Sequence, residues 1–455
     1  MPQSSPLAPD SARKLWDKGY SLDKKIERFT VGRDRELDLL LAPHDILGTM
    51  AHITMLQSVG LLGTDELTPL LAELRSLYHR ASDGEFTIDE GIEDVHSQVE
   101  LLLTQRLGDI GKKVHTGRSR NDQVLVDLKL FTRSAIETTV GKVERLFSVL
   151  QQKSEQYKDI LLPGYTHLQV AMPSSFGLWF GAYAESLTDD LLVMLSAWNV
   201  ANENPLGSAA GYGSSAPLNR GLTTKLLGFA ELNYNSVYAQ MTRGKMERIV
   251  AFAYSCLAET IGRLAFDCCM YNSQNFRFIT LPDTLTTGSS IMPHKKNPDV
   301  FELIRAHCNR LNAVPVEIRQ MTTNLPSGYF RDMQLLKEAY LPLFAEMDDI
   351  IDITTYAIEN MRVSEGLMDQ LLYKPAFSVE EVNYRVGNGV PFRDAYKQVG
   401  LEIQEGRFEY HGTIHHTHEG SIGNLCNDSV RAKMSGVLSQ FSFAQVHQAL
   451  DALMR

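Results

Sequence analysis

Apolar residues recur along most of this chain at steps of three and four. Phe176, Phe180, Tyr183, Leu187 and Leu191 form one such stripe. Val124, Leu128, Phe131 and Ala135 form a second, continued by Val143, Leu146 and Leu150, and Val300, Ile304, Cys308 and Leu311 form a third. This spacing puts each set on one helix face and predicts that the face is buried. Strict apolar–polar alternation bounded by turn dipeptides is scarce, so the pattern predicts a nearly all-α protein with its longest helices in the middle.

Breakers divide the chain. The segment LLPGYTHLQVAMPSS (161–175) reads as irregular between two helices, with Pro163, Gly164 and Pro173 interrupting it. NPLGSAAGYGSSAP (204–217) reads as a glycine-rich loop, LPDTLTTGSSIMPHKKNP (281–298) as a long loop and LPSGYFRD (325–332) as a further break. Residues 1–118, 119–370 and 371–455 are expected to be separate units. No internal repeat or low-complexity tract is present.

At 455 residues, with 44% hydrophobic and 22% charged positions, the chain can build a large core. A formal net charge of −11 disfavours nucleic acid and anionic membranes, so an anionic substrate would need a local cationic pocket. Cys256, Cys268, Cys269, Cys308 and Cys426 are odd in number, show no CxxC spacing and fall in apolar, helix-like stretches. A reducing, cytoplasmic setting is expected. The N-terminal MPQSSPLAPDSARKLW lacks the apolar core of a secretory signal, and no run of 18 apolar residues predicts a membrane span.

Three stretches carry candidate chemistry. In TTGSSIMPHKKNPDVFELIRA (286–306), Asn297 reads as an N-cap and Pro298 as the first helical residue, with Lys295 and Lys296 beside that positive helix end. Two lysines there disfavour the helix unless an anion sits between them. A solvated basic loop is the plain alternative, and the tandem serines Ser289 and Ser290 weigh against it. In HTGRSRND (115–122), Arg118 and Arg120 precede a helix opening at Asn121 and Asp122, and a guanidinium matches a carboxylate with two parallel hydrogen bonds. In GYTHLQ (164–169), His167 lies off any apolar stripe, where an imidazole can serve as acid or base. The run HGTIHHTHEG carries His411, His415, His416 and His418, but Gly412 and Thr413 argue against a helical metal pair and no HExxH core is present, so no metal is expected. GSAAGYGSS fails the spacing of a nucleotide-binding loop and follows no strand.

Taken in order, HTGRSRNDQV, GYTHLQVAMP and GSSIMPHKKNPD resemble the three signature regions of the fumarase/aspartase superfamily and, within it, those of the argininosuccinate lyases. The resemblance runs from KLW (14–16) to PFRDAY (391–396), and LPSGYFRDMQLLKE belongs to it. It implies an all-α, three-domain subunit with a central bundle of long helices, a homotetramer with composite active sites, and no cofactor. It also implies reversible β-elimination of argininosuccinate to arginine and fumarate through an aci-carboxylate. By the same resemblance Ser289 removes the Cβ proton, His167 protonates the leaving nitrogen, Glu302 keeps His167 charged, and Lys295 stabilises the intermediate. Family accounts also exist with the acid and base labels exchanged. Arg120, Asn121 and Thr166 match binders of the fumarate moiety, and Asn297, Tyr329, Gln334 and Lys337 match contacts to the rest of the substrate. The sequence departs from the family at its start: Trp16 is followed by DKGY rather than GGRF, and a family serine is replaced in RFTVGRDRE by Gly32 or lost in a two-residue deletion.

Competing readings remain open at this level. Adenylosuccinate lyase, fumarase and aspartase share the superfamily signatures, although the paired arginines of TGRSRND and the MPHKKNP loop favour argininosuccinate. A catalytically silent homologue, such as the lens crystallins of this family, comes from another class, and intact Ser289, His167, Lys295 and Glu302 oppose it. A metal-binding module on His411–His418 is the third.

Overall fold

The computed structural model describes residues 23–455, and Trp16 lies outside them. Four long helices form its centre: Arg120–Gln156, Phe176–Ala201, Lys245–Tyr271 and Leu336–Asn360. They pack side by side, and the Asp299–Leu311 helix joins them against Lys245–Tyr271 and Leu336–Asn360. Every residue of the Phe176 stripe is buried, as are Val124, Leu128, Val143, Leu146 and Leu150. The stripes therefore face one another across the core, which is the cheapest way to remove helix-long apolar seams from water.

Aromatic rings set the middle of the bundle. Phe344 meets Phe131, Tyr254 and Tyr340 edge-on at 5.3, 5.0 and 5.0 Å. Edge contacts let positive ring edges meet negative ring faces. The two tyrosine hydroxyls find partners in the neighbouring helix, Tyr340 with Thr132 at 2.7 Å and Tyr254 with Thr139 at 2.8 Å. Thr139 in turn donates to Asp348 at 2.8 Å. The Lys245–Tyr271 helix is long and apolar enough to cross a membrane by composition alone. Here Val250, Tyr254, Leu257, Ile261 and Leu264 are buried within the bundle.

A second core forms between Ala42–Ser58, Thr64–Ser82 and Val95–Leu107, closed by Val126 and Leu130 of the long helix. Val382, Ala395 and Val399 make a small third core between Ser378–Gly387 and Phe392–Gln404. The last two helices return to the centre: Val430, Met434, Val437, Phe441 and Val446 join the main core.

Several local expectations are corrected. Residues 161–175 are a β-hairpin, Leu161–Thr166 paired antiparallel with Gln169–Ser175, rather than irregular chain. The helix after HTGRS starts at Arg120 with Ser119 as N-cap, one residue earlier than the sequence suggests. Pro298 takes the N-cap position and Asp299 opens the next helix, because Asn297 is tied into the loop by mutual backbone bonds with Thr287 at 2.8 and 3.2 Å. Gly32 ends the Lys24–Val31 helix at φ 55°, a conformation that favours glycine. Cys426 precedes the Asn427–Leu438 helix in a left-handed conformation instead of lying in a helix.

Buried cations fix the ends of the 202–233 segment to the bundle. Arg133 donates to Asn202 Oδ1 at 2.9 Å and Leu227 O at 2.7 Å, with its guanidinium 4.1 Å from the centre of the Phe229 ring. Lys129 donates to Asn233 Oδ1 at 2.9 Å. Arg133→Ala leaves two buried acceptors unpaired and a void over Phe229, and should cost roughly 3–5 kcal/mol of stability. Chemical denaturation is the check; a loss below about 1 kcal/mol would contradict the anchoring role.

Candidate active site

The start of the Arg120–Gln156 helix is built by one buried carboxylate. Asp122 Oδ1 accepts the Ser119 N–H at 2.9 Å, while Ser119 Oγ accepts the Asn121 N–H at 3.2 Å, closing a capping box. Asp122 Oδ2 accepts the N–H groups of Gly207 and Ala209, both at 2.9 Å, and so clips the glycine-rich loop to the same helix end. Burial pushes the Asp122 carboxyl up to about 6 against the pull of these donors and of Arg118.

The two arginines of HTGRSRND part company here. Arg118 is buried and donates to Thr49 Oγ1 at 3.0 Å, so it is a scaffold cation and not the carboxylate ligand its motif suggests. Arg120 faces a pocket, held by Ser97 Oγ at 2.7 Å, Asp94 Oδ2 at 3.1 Å and Glu93 Oε2 at 3.4 Å. Asn121, Tyr329, Gln334 and Lys337 line the same pocket, although more than two hundred residues separate Asn121 from Tyr329. Gln334 donates to Thr30 O at 2.8 Å, and Lys337 lies buried between Asp38 at 2.6 Å and Asp34 at 3.2 Å. Burial and Asp38 push Asp34 up to about 6 despite Lys337.

Sequence reasoning missed the acidic half of this pocket and the histidine behind it. Asp94 was detectable as an N-cap: it accepts the Ser97 N–H at 2.9 Å at the start of Val95–Leu107. His96 lines the pocket and meets Asp45 at 2.8 Å and Asp127 at 3.5 Å, all three being buried. Burial alone would lower the His96 pKa; Asp45, Asp127 and Asp94 override it and raise the group to about 9. Asp45, His96 and Asp127 are the only ligand-type cluster among the described residues; His96 bonds Asp45, while the Asp127 oxygens and Asp45 Oδ2 are buried without a hydrogen-bond partner, and burial and Asp45 push the Asp127 carboxyl well up. Residues 408–420 are not helical. His411 pairs with Glu381 and His416 with Glu380 and Ser421, so these imidazoles do not converge.

His167 lies elsewhere. It and Leu168 form the two-residue tip of the hairpin at φ 55° and 57°, a turn normally filled by Asn-Gly. Two non-glycine residues there hold strain of about 1–2 kcal/mol each, the kind of outlier that clusters at functional sites. The hairpin below is stiff: Pro163 pairs with Pro173, and a side chain at Gly164 would come within 2.9 Å of Met172 O. Tyr165 packs edge-on against Phe276 at 5.4 Å, while Thr166 and His167 stand exposed.

The third cluster is the 287–297 loop, pinched shut by the Thr287–Asn297 bridge. Ser289 Oγ accepts the Met292 N–H at 3.1 Å and the Ile291 N–H at 3.4 Å. Lys295 is exposed on the far limb, Lys296 pairs with Asp283, and Glu302 is exposed on the first turns of the following helix. Among the described residues, Thr166, His167, Ser289, Lys295, Asn297 and Glu302 do not line the Arg120 pocket. Among the described residues, no hydrogen bond or ion pair joins His167 to Glu302.

Residues 21–312 match the protein family described as Lyase. Argininosuccinate lyase of Bacteroides fragilis strain YCH46 is 62% identical over 97% of this chain and 99% of that protein. The Parabacteroides distasonis argininosuccinate lyase is 63% identical over 96% and 98%, and that of Thermotoga neapolitana 36% over 85% and 98%. Among solved structures, EDDS lyase in complex with formate superposes with a TM-score of 0.73 at 22% identity, covering 96% of this chain and 94% of that one. A class II fumarase from Schistosoma mansoni gives 0.67 at 17% identity, covering 84% and 91%.

The His96 ion cluster makes stability pH-dependent. Its folded pKa of about 9 exceeds the ordinary 6.5, so the stabilisation is complete below about pH 6.5 and is lost as pH rises through 9. The shift corresponds to about 3 kcal/mol. Denaturation of wild type and His96→Gln should differ most near pH 6 and converge above pH 9.5; a gap that is constant with pH would refute a charged His96.

Proposed function

The chain belongs to the argininosuccinate lyase family, and we propose that its three clusters of side chains, contributed by different copies of the subunit, form each active site. The reaction is the reversible elimination of argininosuccinate to arginine and fumarate. The observation that carries the composite site is the separation just described. Arg120, Asn121, Tyr329, Gln334 and Lys337, which resemble substrate binders, converge on one pocket, while Thr166, Asn297 and the residues that resemble the reacting groups lie on the hairpin and on the 287–302 segment, with His167, Lys295 and Glu302 exposed and Ser289 half-buried.

The chemistry follows from the groups present. Ser289 takes the proton from the carbon next to a carboxylate. The two N–H donors already on its Oγ, together with Lys295 on the same loop, stabilise the alkoxide this requires. The electron pair left on carbon spreads into the carboxylate, giving the doubly charged aci-carboxylate. Lys295, Asn297 and a helix start that lacks a side-chain cap offer it charge and donors. The pair then forms the double bond of fumarate as the carbon–nitrogen bond breaks, and His167 delivers a proton to the departing guanidino nitrogen. Glu302 of another copy would hold His167 in its charged form. Arg120, Asn121 and Thr166 bind the fumarate half; Asn297, Tyr329, Gln334 and Lys337 bind the remainder.

A homotetramer is the assembly that such sharing calls for. Exposed Leu192, Phe252, Phe266, Leu303, Ile353 and Tyr356 on the bundle helices support it, since apolar side chains repeated along exposed helix faces mark association surfaces. Five unpaired cysteines support a reducing setting such as the cytoplasm.

The purified protein should release fumarate from argininosuccinate and not from adenylosuccinate, malate or aspartate, followed by ultraviolet absorbance; no release from any of them would leave a silent scaffold. Ser289→Ala should lower turnover about 10²–10⁴-fold with assembly intact, and near-normal turnover would remove Ser289 from the chemistry. Inactive His167→Ala and Ser289→Ala proteins, dissociated and reassembled together, should regain part of the activity. Mixed tetramers that stay inactive would argue against shared sites.

A further inference from the structure

The short Asp34–Asp38 helix brings two carboxylates to the pocket wall one helical turn apart. Like charges at that spacing repel, and both side chains are buried. Lys337 holds them, 2.6 Å from Asp38 Oδ1 and 3.2 Å from Asp34 Oδ1. The two acids are not equally served. Asp38 Oδ2 accepts the Val95 N–H at 3.3 Å, so both of its oxygens are engaged. Among the described residues, no hydrogen bond reaches Asp34 Oδ2, and burial outweighs Lys337 to push the Asp34 carboxyl up to about 6.

The neighbouring cation does not make good the deficit. Arg243 also lines the pocket, but its guanidinium is committed to the buried Glu247 at 2.9 Å and to Met333 O at 2.9 Å. Asp34, Asp38 and Glu247 are thus three carboxylates against two cations, Lys337 and Arg243. One positive charge is wanting, and Asp34 has the open acceptor. An α-amino acid supplies that charge in matching form. Its ammonium and carboxylate lie side by side, as Asp34 and Lys337 do, and the two pairs can meet through charge-assisted hydrogen bonds. A guanidino group would satisfy Asp34 alone, and it is needed at the reacting carbon, beside His167 and Ser289.

We propose that Asp34 receives the α-ammonium group at the arginine end of the substrate and makes the site specific for a free amino acid over compounds whose α-nitrogen is absent or acylated. This rests on the reading that Gln334 and Lys337 bind that end.

The test is calorimetric binding to the assembled protein, above neutral pH, of L-arginine and of des-amino-arginine, which lacks only the α-amino group. Wild type should bind L-arginine about tenfold or more tightly, since a site built to hydrogen-bond a group rejects the analogue without it. Equal affinity in wild type overturns the proposal, with no variant needed. Asp34→Asn keeps the shape and removes the charge. It should weaken L-arginine about tenfold and change des-amino-arginine less than about threefold, closing the gap. A gap that survives in Asp34→Asn, or an equal loss for both ligands, overturns the assignment. Gln334→Leu separates it from the reading beneath. If that variant weakens both ligands while Asp34→Asn leaves the gap unchanged, only the Asp34 assignment fails. If L-arginine does not bind wild type, or Gln334→Leu alters neither ligand, the reading of the pocket fails and Asp34 falls with it.

Discussion

The burial of the Arg120–Gln156 helix on several sides at once is the constraint on which the rest of this structure depends. It packs against Phe176–Ala201, against Leu336–Asn360 and against Ala42–Ser58, and so belongs to both large cores. A helix enclosed in this way has little solvated face for its charged residues. Asp122, Asp127, Lys129 and Arg133 are all buried, and each must be neutralised or hydrogen-bonded locally. The solutions differ by position. Near the helix start they shape the pocket through Asp122, Asp127 and His96. A turn further on they tether the 202–233 segment through Lys129 and Arg133. Packing and site geometry are one problem here, because the groups that position Arg120 are the ones that the core would otherwise reject.

The strain in the hairpin and the exposure of the serine loop have a common logic. In the composite site proposed above, a general acid and a general base reach substrate that a different surface binds. The protein mounts them on stiff, outward-pointing supports: a proline-paired hairpin for His167 and a pinched loop for Ser289. The pocket itself is densely charged, with cations and carboxylates interleaved. Such a pocket selects by charge pattern and offers little apolar contact, as suits a substrate with carboxylates at one end and a guanidino group in the middle.

Much of this was legible in the sequence, and the exceptions have physical causes. The Phe176 and Val124 stripes announced their helices because a period of 3.6 survives wherever one face meets a core. The pocket members Arg120, Asn121, Tyr329, Gln334 and Lys337 were named from motif resemblance, since no local pattern could join residues so far apart in the chain. The hairpin escaped notice because Pro163, Gly164 and Pro173 disguise strand alternation and because His-Leu is not a turn dipeptide. Arg118 and Arg120 looked equivalent, yet two residues flanking a helix cap diverge, one into the core and one to the pocket. Asn297 was read as a cap by its residue type, while its backbone is committed to Thr287. Asp34, Asp38 and Glu93 gave no signal, as isolated acids in an acidic chain.

The Phe443–Met454 helix carries a consequence for how the protein is made. It contacts the Ala42–Ser58 helix, and Leu453 completes the same core as Ile46, Leu47 and Met50. A ribosome delivers these partners some four hundred residues apart, so the first helices to emerge wait through most of translation before their core can close. During that interval their apolar faces are open to other nascent chains and to chaperones. Polysomes therefore bring the unfinished ends of several copies together before that core has closed, the stage at which the subunit sharing proposed above has most to gain from early encounter.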